Sequence, residues 1–406
     1  MNDFKMKIPS SLEKVMNRLW SAGYEAYAVG GCVRDSLLGK TPSDYDLTTS
    51  ATPEEVLSVF GDSRCIETGL KHGTVTVISD GENIEITTYR IDGEYVDNRH
   101  PSEVYFTREL KEDLSRRDFT VNAMAYSERA GLVDLFMGRE HLLEKRIVCV
   151  GDPHDRFHED GLRILRALRF ASVLGFEIDN KTGEKVFSES YLLKNISAER
   201  IYAEFSKLIC GVGACDILIN YKRVLEEFLC FDCDKEEYER RVKTLVLAPK
   251  KHYIRLAILF GNKKSVRENL AALKTDKFTR DRASLLADNA SAEIPDDEIS
   301  LKKLVSRLGF EVFDEYVSIR KAYGDPLCDK ARKIAHDAEE KKECLFLKDL
   351  AVSGSDICAL GAAGKEIGDI LFALLDEVIE GRCENTPEKL RTRASEMIAK
   401  PVQKGC

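Results

Sequence analysis

The chain has 406 residues, 43% hydrophobic and 32% charged, with a net charge of −9, enough for a substantial core in two to four domains. Its twelve cysteines are scattered and no apolar run reaches membrane-spanning length, which excludes a small secreted disulfide scaffold and a membrane partner and points to a cytoplasmic protein. The acidic balance argues against a polyanion partner unless basic residues gather on one face. They do cluster, at Arg116-Arg117, at Arg163, Arg166 and Arg169, and at Lys389, Arg391, Arg393, Lys400 and Lys404.

Leu12, Val15, Met16 and Leu19 keep i, i+3, i+4, i+7 spacing, predicting an amphipathic helix capped by Ser10 or Ser11 and stopped near Gly23. A short apolar run then delivers the backbone to Gly30-Gly31, where two residues without a Cβ let main-chain N–H groups approach a bulky anion. The following stretch reads as a short helix, Val33 to Leu38, closed by Gly39, with Arg34 placed to grip a triphosphate beside those amides. The plainer alternative pairs Arg34 with Asp35. Next come Asp44 and Asp46, on a strand-like segment whose period of two sends both carboxylates to one face, roughly 6.5–7 Å apart. Hard oxygen ligands at that spacing suit two Mg²⁺ ions bridged by a nucleotide's phosphates.

Gly-Gly-x-Val-Arg-Asp-x-Leu-Leu-Gly followed by Asp-x-Asp resembles the first motif of the class II tRNA nucleotidyltransferase and bacterial poly(A) polymerase family, within the polymerase β-type superfamily. Farther along, Thr52-Pro53 with an acidic first turn predicts a capped helix start. Two β runs, 73–78 and 84–89, flank Asp80-Gly81, a hairpin signal. Glu85 on the second run falls where polymerase β-type sites place a third carboxylate, to ligate or orient a metal; a solvent-facing strand Glu is the alternative. The polar loop from Asp92 to Thr107, with Arg99-His100-Pro101 and Val104-x-Phe106, is similar to that of CCA-adding members.

The segment Glu112 to Ala125 resembles the second family motif. Arg116 and Arg117 suit phosphate contact, and Asp118 can accept from a ribose hydroxyl; the resemblance implies that Arg117 holds the triphosphate and Asp118 helps select ribose. A surface ion-pair cluster is the alternative. Residues 132–136 and 147–150 read as the last strands of the first domain. Asp160, Arg163, Arg166 and Arg169 then advance by three, neighbours along one helical face. A carboxylate and a guanidinium one turn apart can imitate a Watson–Crick edge, accepting the amino donor and ring acceptor shared by cytosine and adenine. Matched to the family's Glu-Asp-x-x-Arg motif, Asp160 and Arg163 read the base while Arg166 and Arg169 support that face; the alternative is a solvated salt-bridge ladder.

Ser197 reads as a cap for a helix through Leu208, and helical periodicity marks 222–229, 252–260, 301–308 and 312–323. The Leu-Phe-Gly-Asn ending at Asn262 supplies no His-Asp dyad, so no phosphodiesterase activity is expected. Gly364-Lys365, at a helix start, is a phosphate contact or a plain turn.

The resemblance implies an α+β chain: a nucleotidyltransferase head (1–150) with a small mixed or antiparallel sheet and flanking helices, then an elongated all-helical region of neck (151–210), body (211–330) and tRNA-binding tail (331–406). It implies a metal-dependent enzyme using two Mg²⁺ on Asp44 and Asp46, adding CCA to tRNA from CTP and ATP. Gly30, Gly31, Arg34, Arg116 and Arg117 line the triphosphate site. Partners are tRNA and the two nucleotides, not DNA, in a monomer or homodimer. An A-adding enzyme, a poly(A) polymerase and a non-catalytic RNA-binding scaffold are the alternatives.

Overall fold

Strand β1 (Ala26–Val29) sends Ala26 and Ala28 into one apolar cluster and Tyr27 and Val29 into another, so it is covered on both faces. The structure, a computed structural model, describes residues 4–61, 65–69, 73–93 and 103–399. The chain forms two compact units, residues 1–231 with 271–275, and residues 232–270 with 276–406. Expected head and neck thus fall largely in the first.

The sheet of that unit also contains β2 (Asp46–Thr49), β3 (Cys65–Gly69), β4 (Thr74–Ser79), β5 (Glu82–Thr88), β8 (Met124–Ser127) and β9 (Gly131–Asp134), in the order β3-β4-β5-β2-β1-β8-β9. Neighbours are antiparallel except β2 and β5, which run parallel with Leu47 beside Ile86 and Thr48 beside Thr87. The β4–β5 hairpin turns at Asp80 and Gly81, both at positive φ (52° and 82°), as Asp-Gly predicts. β6 (Arg90–Asp92) pairs with β7 (Val104–Phe106) beside the sheet, while Arg99, His100 and Pro101 lie outside the described residues.

Helix α1 (Ser10–Ser21) buries Leu12, Val15, Met16 and Leu19 on the first face, as their spacing predicts. Its expected serine cap is absent: Pro9 occupies the N-cap, and Ser11 instead donates to Glu82. Gly31–Leu37 forms α2, two residues earlier than expected. In α3 (Pro53–Phe60) Thr52 and Glu55 complete a reciprocal capping box, with Glu55 accepting the Thr52 N–H at 2.7 Å. α4 (Leu110–Ser115) covers the second face through Leu114.

Two expectations need correction. Residues 147–150 add no strand to the main sheet; β10 (Arg146–Ile147) pairs in parallel with β11 (Glu177–Ile178). The helix expected through Asp160 is broken in two. After α5 (Gly138–Leu143), α6 spans Pro153–Glu159 and α7 spans Leu162–Leu174, with Asp160 extended between them at φ −144°, ψ 104°. The turn packs tightly, since a Cβ on Gly161 would lie 3.1 Å from the Leu192 carbonyl oxygen. α8 (Asn180–Ser188) and α9 (Ala198–Leu208) follow; Ser197 takes the α9 N-cap position without a side-chain hydrogen bond.

The second unit is helical. His252–Phe260 is buried at every position after His252, whereas Glu298–Leu308 and Phe310–Ala322 are separated by Gly309 at φ 77°. Among the described residues no helix is long and apolar enough to cross a membrane.

Removing the α3 cap by Thr52→Ala should cost about 1 kcal/mol. Urea unfolding followed by fluorescence of the single tryptophan, Trp20, which packs on the same cluster, reads the first unit; an unchanged midpoint would contradict the capping box.

Candidate active site

Leu47 and Ile86 point into the first apolar cluster, so the alternating residues of β2 and β5 face the side covered by α4. Continuing the Leu47–Ile86 register by one residue sets Asp46 beside Glu85 on that side. Asp44 precedes β2 in coil, its carboxylate accepting the Tyr45 N–H at 3.0 Å. Desolvation raises the Asp46 pKa above the ordinary carboxylate value; Arg117 opposes the shift, and Asp44 and Glu85 add to it. The three acids therefore share one electrostatic environment with one guanidinium. They are not drawn into a tight triad, an arrangement that among the described residues belongs to another group of side chains.

Arg117 is positioned by Asp113 on α4. This carboxylate is wholly buried, pairs with Arg116 Nη2 at 2.8 Å and Arg117 Nη2 at 3.6 Å, and accepts from Thr48 Oγ1 at 3.3 Å. Burial alone would raise its pKa, but Arg116 and Arg117 hold it below the usual range. Arg117 Nη1 lies in the space a side chain on Gly30 would fill, 2.9 Å from that ideal Cβ, and its buried Nε has no hydrogen-bond partner. Gly30 sits at φ 75°, ψ −126°, a conformation for glycine. Its N–H donates to the Met124 carbonyl at 3.2 Å, so the expected anion-facing amide is committed to the sheet. What Gly30 contributes is room for Arg117, while Gly31 opens α2.

Arg34 takes the plainer partner foreseen for it, Asp35 at 2.8 Å, and also donates to Asn122 Oδ1 at 2.6 Å. Asp118 is buried, receives Arg166 Nε at 2.8 Å and Asn122 Nδ2 at 3.3 Å, and binds Arg166 Nη2 at 2.6 Å. Desolvation of Asp118 is outweighed by Arg166, leaving its pKa lowered. Asp160 is not on the helix that carries Arg163. Its carboxylate accepts from Leu162 N at 3.1 Å and pairs with Arg200 at 2.7 Å, while Arg163 pairs with Glu159 and donates to the Arg116 carbonyl at 3.1 Å. Arg163 N still donates to the Asp160 carbonyl, so the two residues are one turn apart. Arg169 pairs with Glu204.

Sequence reasoning missed Phe170, whose centroid lies 5.3, 5.3 and 3.7 Å from the guanidinium carbons of Arg34, Arg166 and Arg169. It ties the Gly-Gly motif to the arginine ladder by cation–π attraction. Asn122, Arg200 and Glu204 were missed as well; their signal is a partner far away in sequence. In the second unit Arg391 pairs with Asp356 and Arg393 with Glu377 and Glu396, whereas Lys400 and Lys404 lie outside the described residues.

Residues 26–148 match the family model described as the Poly A polymerase head domain, 175–215 the probable RNA and SrmB-binding site of polymerase A, and 250–394 the putative tRNA nucleotidyltransferase domain 2. A CCA-adding enzyme of Ligilactobacillus salivarius is 33% identical over 422 aligned residues, covering 99% of this chain and 98% of its own. One from Enterococcus faecalis is 32% identical over 415, covering 98% and 97%. The crystal structure of the Bacillus stearothermophilus CCA-adding enzyme in complex with CTP superposes with a TM-score of 0.82 at 31% identity, covering 97% of this chain and 98% of that one.

Asp118→Asn leaves Arg166 only the more distant Glu204 at 3.6 Å as counter-charge and should destabilise the fold by about 2 kcal/mol at neutral pH, less than for a fully buried pair because Arg166 keeps a third of its surface in water. A depressed native pKa means this contribution is present above the ordinary value of about 3.9 and is lost as pH falls through the native one. Urea midpoints of the two proteins should therefore converge below about pH 4; a constant gap would argue against the ion pair.

Proposed function

The chain belongs to the family of CCA-adding enzymes, and from that membership we propose that it extends tRNA 3′ ends by C, C and A. It uses CTP and ATP, releases pyrophosphate and needs no nucleic-acid template. The observation carrying this reading is a full-length relationship to such enzymes joined to an acidic cluster beside a guanidinium whose buried Nε is uncommitted.

Enzymes of this family use divalent metal ions, and the residues here fit one. The donors are all carboxylate oxygens, the set a hard cation takes, and burial, with smaller additions from Asp44 and Glu85, raises the Asp46 pKa, a cost to the charged form that a cation would relieve. Asp44 and Asp46 would hold two Mg²⁺, with Glu85 beside Asp46 as a further ligand or an orienting group. When bound, such ions lower the pKa of an attacking hydroxyl and neutralise leaving phosphates.

The protein's own groups do the rest. The terminal tRNA hydroxyl attacks the α-phosphate in line and pyrophosphate departs. Arg117, whose Nη1 takes the room that Gly30 leaves, brings its guanidinium charge to the triphosphate, with Gly31 opening α2 beside it. Arg34 and Arg116, already neutralised by Asp35 and Asp113, add hydrogen bonds more than net charge. Asp118 reaches a ribose hydroxyl by giving up one of the hydrogen bonds it receives from Arg166. Asp160 and Arg163 read the base edge by exchanging Arg200 and Glu159 for it; Arg166 and Arg169, stacked about Phe170, hold that face in place.

Incubating the enzyme with tRNA lacking its last three nucleotides, and with CTP and ATP separately and together, tests the reading by product length. Addition of three residues is expected; A-only products, or long A tails, would overturn it. Asp46→Asn should lower turnover of both nucleotides by upwards of ~10³ with tRNA binding retained. Arg163→Ala should erode preference for CTP and ATP over UTP and GTP in kcat/KM, and preserved selectivity would remove its base-reading role.

A further inference from the structure

Outside this site, one group of side chains among the described residues brings three metal-ligating atoms together: His154 and His158 of α6 with Glu189. The histidines are four residues apart and so share one helical face; their ring centroids are 4.3 Å apart. Glu189, the residue that ends α8, reaches across with both oxygens. Oε1 lies 3.0 Å from His154 Nδ1 and Oε2 lies 3.2 Å from His158 Nε2, and all three ligand atoms fall within 4.8 Å of one another. With metal–ligand bonds of about 2.0–2.2 Å, the edge of a tetrahedral site is ~3.3–3.5 Å, so the cluster needs little rearrangement to close on an ion. Glu189 is buried while the rings stay close to half exposed, leaving an open side for water or a fourth ligand.

We propose that His154, His158 and Glu189 form a binding site for a borderline divalent cation of the Zn²⁺, Co²⁺ or Ni²⁺ class. Two imidazoles and one carboxylate suit such ions, whereas Mg²⁺ prefers an all-oxygen set such as Asp44, Asp46 and Glu85. Tyr191 Oη, 3.1 Å from Glu189 Oε2, orients the carboxylate from behind, and Lys185 Nζ, 3.4 Å from Oε1, is its competing cation. Bound metal would pin α6 to the end of α8. The last residue of α6 is Glu159, the partner of Arg163, and Asp160 follows it. The cation would thereby act on the position of the two base-facing residues without touching substrate.

The test is a Co²⁺ titration of the full chain in excess Mg²⁺, which saturates the oxygen site, followed by visible absorption and by thermal stability. One tightly bound Co²⁺ with a visible band and a raised Tm is expected. His154→Gln and His158→Gln, both at solvent-accessible rings, should each weaken it by upwards of ~100-fold, since loss of even an outer partner costs 10–100-fold. Lys185→Gln should tighten it. Absence of Co²⁺ binding in excess Mg²⁺, or binding unchanged in the double histidine variant with native circular dichroism, would overturn the site.

Discussion

A wholly buried carboxylate, Asp113, is the constraint on which the active face depends. A lone charge there would cost several kcal/mol, so its position is tolerable only while Arg116 and Arg117 face it. That requirement fixes Arg117 beside Gly30 and within the field of Asp46. Thr48 joins the same carboxylate from the strand that carries Asp46. The guanidinium and the acidic cluster are therefore placed by one hidden charge, not by the exposed residues themselves.

Charge neutralisation also reconciles an acidic chain with an arginine-rich site. Arg34, Arg116, Arg163, Arg166 and Arg169 each meet a carboxylate, Asp35, Asp113, Glu159, Asp118 and Glu204 in turn. Their planar forks are held ready while the surrounding field stays modest. Arg117 differs in having a buried Nε with no hydrogen-bond partner. The ladder also binds the two halves of the first unit, since Asp118 and Arg166 are 48 residues apart in sequence.

Features set by local chemistry were legible in the sequence. The α1 stripe, the capped helix start at Thr52 and the Asp80-Gly81 turn follow from periodicity, capping and φ preference, each decided within a few residues. Asp44 and Asp46 stood out only in company with Gly30-Gly31 and Arg34 just upstream. What escaped was set by distant chain. The Arg34–Asn122 bond spans 88 residues, and Phe170 reads in sequence as one more core aromatic. The break at Asp160 was hidden because a three-residue charge ladder runs unchanged through it, while Gly161 beside it packs closely on Leu192, a residue distant in sequence. The Gly30 amide failed as an anion donor because the neighbouring strand claims it through Met124.

The parallel pairing of β2 with β5, in a sheet whose other neighbours are antiparallel, has a kinetic meaning. A hairpin forms from adjacent segments, but parallel neighbours must wait for the intervening chain to loop back, at an entropic cost that grows slowly with loop length. Glu85 therefore joins Asp46 only after some forty residues have closed around α3 and the β4–β5 hairpin. A nascent chain emerging through β2 displays two acids on an incomplete scaffold, and the repulsion among three is incurred when the core that can bear it already exists.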